Sequence, residues 1–164
     1  KFVLIRSADS SHITGQRERE LMRKVSDEPN PNSELMWQLA GACCDAAKRS
    51  NFSGFAENLE SYMELASNLF APVQGDKYNG GHCRSAADLA KSVGLRAVGQ
   101  SSWGPTIFGL APDSECARKA AEAIRYEHPH WVVNIATVLD AGAQIRCARH
   151  KSNVDQSPLI TDVD

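Results

Sequence analysis

The sequence predicts an α+β domain in which helices pack on one face of an antiparallel sheet. Three observations predict it. Short apolar or β-branched runs recur through the chain, segments of helical periodicity separate them, and the order reads β, several helices, β, β, α, β. The central strand–turn–strand–helix–strand run suits a split βαβ arrangement, with extra helices between the first strand and the second.

Phe2 to Ile5, extending to Ser7, is an apolar run bounded by polar residues and reads as a buried strand. A loop follows, and Thr14 is placed to cap a short helix through Lys24, with Glu18 in its first turns. Two prolines break the chain between Ser26 and Asn32. Ser33 reads as the N-cap of a helix over 34–49, on which Leu35, Leu39, Ala42 and Ala46 share a face. Ser53 reads as the cap of the next, over 54–70, with Phe55, Leu59, Tyr62, Met63, Ala66 and Leu69 as its apolar side. The short link between them predicts a helical hairpin. Residues 71–83 read as a loop whose Gly80–Gly81 pair admits backbone conformations other residues resist. A third helix over 85–93 ends at Gly94, and a strand over 95–99 follows. Alternation over 106–112 predicts another strand, Asp113 or Ser114 caps a helix ending near Tyr126, and 130–138 is a β-branched strand. Residues 143–149 either pair with that strand or extend the end, and 152–164 read as a disordered tail.

The 164 residues suit one domain, taken as 1–150 with a tail over 151–164. A net charge of −2 and the absence of a long basic run argue against nucleic acid as a partner. The densest charge cluster, Arg17 to Lys24, alternates in sign like a solvated helix face. No apolar run approaches the ~20 residues of a membrane span. Five cysteines, an odd number without a CxxC, argue against a disulfide framework and a structural zinc site, and suggest a reducing, cytoplasmic setting. Scattered histidines give no ligand spacing, so no metal site is expected. The chain lacks an initiating Met and opens directly into a strand-like run, which suggests a piece of a larger protein.

The segment VGQSSWGPT, Val98 to Thr106, is the unusual one. Gly99 ends one strand and Gly104 leads into the next. A loop here can turn backbone N–H groups inward as a concave donor surface for an anion. Ser101 and Ser102 add hydroxyls, Gln100 an amide, and Trp103 a flat apolar wall; Pro105 fixes the exit. The alternative is a plain β-hairpin whose indole folds into the core and whose serines satisfy the turn. No Lys follows the glycines, so the segment is not a P-loop.

GQSSWGPT closely resembles a signature in the C-terminal half of the β-ribofuranosylaminobenzene 5'-phosphate synthases, which belong to the GHMP kinase superfamily. TGQRERE (Thr14 to Glu20) and PVQGDKYNGG (Pro72 to Gly81) resemble further, less specific elements, and the likeness covers roughly residues 1–150. It implies a ferredoxin-like fold, as in GHMP kinase C-terminal domains. It also implies condensation of phosphoribosyl pyrophosphate with 4-hydroxybenzoate or 4-aminobenzoate on the path to tetrahydromethanopterin. Carried over residue by residue, Gly99, Gln100, Ser101, Ser102 and Gly104 lie near phosphate or pyrophosphate. Trp103 and Thr106 shape the aromatic or ribose part of the pocket, and Gly80 and Gly81 form a second wall. No acid, base or nucleophile stands out; Asp76 and His82 read as solvated loop residues.

The superfamily's N-terminal phosphate loop, Pro-x-x-x-Gly-Leu-Gly-Ser-Ser, does not occur in this sequence. The expected partners are thus a phosphorylated small molecule and an absent N-terminal domain, with a homodimer left open. The expected chemistry needs no cofactor in this chain and allows Mg2+ in the full-length enzyme. GHMP kinases proper carry a more glycine-rich motif where this chain has Gln, Ser, Ser and Trp. An ATP-dependent small-molecule kinase of the superfamily and a non-catalytic ferredoxin-like regulatory or dimerisation module remain as alternatives.

Overall fold

The computed structural model describes residues 1–7, 13–26, 29–139 and 141. Among these residues nine elements run in the order β1 (Phe2–Arg6), α1 (Gly15–Ser26), α2 (Ser33–Lys48), α3 (Phe52–Gln74), α4 (Gly80–Ser92), β2 (Arg96–Gln100), β3 (Ile107–Leu110), α5 (Ser114–Glu127) and β4 (Val132–Ala136). The four strands form one antiparallel sheet in the order β2-β3-β1-β4. β3 therefore lies between β1 and β2, and β1 lies between β3 and β4. The expected partner of β4 over 143–149 and the expected tail lie outside the described residues.

Because side chains alternate along each strand, the sheet has two apolar faces. On one, Val3, Ile5, Val98, Ile107 and Val133 meet α4 through Ala86, Ala87 and Ala90, and α5 through Ala117, Ala121 and Ile124. Small residues at helical spacing let these helices approach closely. On the other face, Phe2, Ala97 and Leu110 meet Ala56, Phe55, Leu59 and Met63 of α3. The expectation of helices on one face is thus corrected: α3 covers the second face over β2, and α2 packs against α3. Large apolar residues on the strands' second faces require that cover.

Helix ends differ from expectation in instructive ways. Asn51, not Ser53, caps α3, its side chain accepting the Gly54 N–H at 3.1 Å. Ser33 is the first residue of α2 rather than its cap. α3 continues past Phe70 to Gln74, with Pro72 inside its last turns, and ends on the left-handed Gly75. α4 starts at Gly80, five residues before the expected start. Asp113 does cap α5, accepting the Cys116 N–H at 2.7 Å. α1, which carries the alternating charges, buries no residue.

A bulge fixes α3 to β2. Ala97 is fully buried at φ 45°, and the β2–β3 register shifts between Arg96 and Gly99. Glu60 of α3 accepts the freed Ala97 N–H at 2.8 Å and takes the Arg96 guanidinium at 3.0 and 3.2 Å. The guanidinium first, and then the Ala97 N–H, hold the Glu60 carboxyl below the usual carboxylate value, against the opposing effect of burial.

Candidate functional site

The connection between β2 and β3 closes as a tight turn. The Ser101 N–H donates to the Thr106 carbonyl and the Gly104 N–H to the Ser101 carbonyl, both at 2.9 Å. Ser102 (φ 52°) and Gly104 (φ 75°) occupy the left-handed region, and the Gly104–Pro105 peptide is cis. A side chain at Gly104 would crowd Cys83 Sγ at 3.2 Å. The Ser102 and Trp103 N–H groups donate to no carbonyl among the described residues.

The indole of Trp103 does not form the expected pocket wall. It is 1% exposed and stands edge-on to Phe70, with ring centroids 5.0 Å apart and planes at 84°. This is the hairpin alternative for the ring: burying so large an apolar surface outweighs leaving it beside a ligand. Its Nε1–H is the buried side-chain polar atom without a partner among the described residues. The two serines behave differently, and both remain exposed. The turn is thus anchored from beneath by the indole and presents its hydroxyls outward.

Gln100 and Asn79 tie this turn to the start of α4. Gln100 Oε1 accepts the Asn79 N–H at 2.7 Å, and Gln100 Nε2 donates to the Ser102 carbonyl at 2.9 Å and to Gln74 Oε1 at 3.3 Å. Asn79 Nδ2 donates to the Trp103 carbonyl at 2.7 Å. Gln74 in turn donates to the carbonyls of Asp76 and Lys77 at 2.8 and 3.0 Å. The structure therefore brings the Gly80–Gly81 pair beside the serine turn. Gly80 needs its glycine, since its φ is 83° at the first position of α4. Cys83, one turn into α4, directs its thiol at the Pro105 carbonyl, and burial raises its pKa.

Two hollows meet at Ser102. One, of about 320 Å3, is apolar on Leu59, Tyr62, Met63, Phe70 and Phe108, and carries Gln74, Lys77, Gln100 and Ser102 as its polar lining. Gly99 lies buried beneath it, where an added Cβ would overlap Met63 Sδ and stand 3.0 Å from Phe108 Cζ. The other, of about 660 Å3, lies between the turn and α1. Thr106 is not part of this grouping; it lines a separate hollow of about 280 Å3 over β1 and β4 with Arg6, Val132 and Asn134. Asp76 is engaged structurally: it pairs with Arg84 and accepts the Lys77 N–H at 2.7 Å.

Sequence reasoning missed Gln74, Asn79, Phe70 and Tyr62 as site-building residues. The PVQGDKYNGG segment held the signal for the first two. The Phe70–Trp103 pair has no local signal, because its members are far apart in the chain. No three or more His, Cys, Asp or Glu side chains cluster in metal-binding fashion among the described residues. Among the described residues, no helix is long and apolar enough to cross a membrane.

Over the described residues the fold and site define an α+β domain with a four-stranded antiparallel sheet, five helices and an exposed serine turn. The 4-diphosphocytidyl-2-C-methyl-D-erythritol kinase of Cereibacter sphaeroides (strain ATCC 17029 / ATH 2.4.9) is 48% identical to this chain over 50 residues. That stretch is 30% of this chain but only 18% of the kinase. The kinase is a GHMP-superfamily enzyme, so the match supports a relationship to that superfamily and no particular reaction. No family model matches the chain, and no solved structure matches it.

Proposed function

We propose that this chain is the C-terminal, substrate-facing half of a GHMP-superfamily enzyme, with a ferredoxin-like sheet, and that its reaction is of the β-ribofuranosylaminobenzene 5'-phosphate synthase type. One observation carries the reading. The GQSSWGPT segment is a hydrogen-bonded turn whose indole is buried and whose Gln100 bonds Asn79 and Gln74, while Ser101 and Ser102 are exposed next to the start of α4 at Gly80–Gly81. Such a turn is preorganised to donate to an anion without reordering. The strand order β2-β3-β1-β4 supports the ferredoxin-like part of the proposal.

In this reading the apolar hollow under Tyr62, Phe70 and Phe108 takes the aromatic acid, with the ammonium of Lys77, shared with Glu64, at its polar edge to meet the carboxylate. The ring carbon bearing that carboxylate bonds to the anomeric carbon of the phosphoribosyl group. Pyrophosphate departs with the electron pair of the broken C–O bond, and carbon dioxide leaves its pair to restore the ring. The Ser101–Ser102 turn stabilises the charge growing on pyrophosphate. The N-terminal domain of the full-length protein completes the cleft.

A second reading, an ATP-dependent small-molecule kinase, is favoured by the 50-residue likeness to the erythritol-derivative kinase. Supplying the full-length protein with phosphoribosyl pyrophosphate plus either aromatic acid, and separately with ATP, separates the two. Pyrophosphate and carbon dioxide released in equal amounts are expected. ATP consumption with no reaction of phosphoribosyl pyrophosphate would replace the synthase reading with the kinase one.

A further inference from the structure

The charge cluster on α1 has a more specific arrangement than a solvated face. Arg19 and Arg23, one turn apart, line the 660 Å3 hollow whose opposite wall is Ser102. Neither forms an ion pair among the described residues, whereas Gln16 on the same helix engages Glu20 at 2.8 Å. Arg17 and Lys24 of the same cluster do not line the hollow. Two guanidiniums and a Ser102 N–H without partners among the described residues thus border one space with the exposed Ser102. Among the described residues of that lining Glu18 is the acidic one, and it leaves their net charge at about that of one cation.

We propose that Arg19 and Arg23, together with Ser102, form a binding subsite for a diphosphate group. The proposal rests on the functional reading above and adds to it the residues of α1 that grip the leaving group. Guanidinium forks match phosphate oxygens bidentately, and two of them one helical turn apart suit two linked phosphates better than a single carboxylate. Ser102 also borders the apolar hollow, so the bound molecule carries its diphosphate on the α1 side and an apolar, ring-bearing part on the α3 side.

The test is calorimetric titration of the 164-residue chain with inorganic pyrophosphate, at low and at physiological salt. The unmodified chain is expected to bind saturably with one site. The double variant Arg19→Gln/Arg23→Gln is expected to bind at least tenfold more weakly. The charge-matched control Arg17→Gln/Lys24→Gln is expected to bind within about twofold of the unmodified chain, because the Debye length at physiological salt is only about 8 Å. All three chains must show the same circular dichroism, which surface substitutions on a helix with no buried residue should preserve. Equal weakening in both double variants, or no saturable binding in the unmodified chain, overturns the subsite. Turnover on phosphoribosyl pyrophosphate by the full-length protein is read separately. Turnover indifferent to Arg19 and Arg23 overturns the subsite and spares the function; pyrophosphate binding lost with those arginines in a protein that turns over only ATP does the reverse.

Discussion

Replacing Trp103 by alanine tests whether the indole anchors the serine turn. The side chain is 1% exposed and contacts Phe70 edge-on. Truncating a buried Trp leaves a large cavity and costs about 3–5 kcal/mol, of which the aromatic pair accounts for about 0.5–1.5 kcal/mol. With a urea m-value of about 2 kcal/mol/M, the unfolding midpoint falls by about 2 M. Trp103→Phe behaves differently. It keeps a ring against Phe70 and deletes the indole N–H that has no partner, whose burial is worth about 1–3 kcal/mol of penalty. The loss of packing and the relief of that penalty oppose each other, so its midpoint stays within about 0.7 M of the unmodified protein, taking the same m-value. Circular dichroism in a urea titration reads both. A Trp103→Ala midpoint unchanged within 0.3 M, roughly 0.6 kcal/mol on that m-value, would refute the buried anchor and return the indole to the surface.

Gln100→Leu leaves the Asn79 N–H without its acceptor and frees Gln74, which should destabilise the domain by about 1–3 kcal/mol in the same titration. The folded-state pKa of Glu60 lies below its ordinary 4.5, so its contribution to stability is present above that value and is lost as the pH falls through the lower one. The stability gap between the unmodified protein and Glu60→Gln should therefore be fully open at neutral pH and close progressively below pH 4.5 in denaturant titrations; a gap constant down to the acid limit would remove the Arg96 and Ala97 interactions from the account. Burial raises the Cys83 thiol, and burial together with Cys44 raises Cys43, so both hold less thiolate near neutrality. Iodoacetamide followed by peptide mass mapping should label the exposed Cys44 well before Cys83, and early labelling of Cys83 would contradict its packing against Pro105.

The strands and most helices were legible because their signals are local. An apolar run such as Phe2 to Ile5, or alanines at helical spacing over 85–93, needs no knowledge of the rest of the chain. What failed was set by distant partners. A proline at 72 and a glycine pair at 80–81 read as a continuous loop, yet α3 runs through Pro72 to Gln74, and Gly80 supplies the positive φ that starts α4. The two-sided packing of the sheet turns on Phe55, Leu59 and Met63 finding Ala97 and Leu110, a match no single window contains. The same holds at the site. Composition marked the Val98 to Thr106 segment as unusual but could not choose between an indole facing a ligand and one facing the core. Phe70, at the far end of α3, makes that choice. Arg19 and Arg23 looked like solvated charge because their relation to Ser102 exists only in three dimensions.

The central claim is that a turn anchored from below by the buried indole offers its serine hydroxyls and the Ser102 and Trp103 amides to a phosphate-bearing ligand. Amide-resolved NMR of the isotope-labelled chain during addition of pyrophosphate addresses it directly. Saturable shifts at the Ser102 and Trp103 backbone amides, accompanied by Arg19 and Arg23 of α1 and by Gly80 and Gly81, are the predicted result. Shifts scattered over the charged surfaces of α1 and α5, with the turn unmoved, would contradict it.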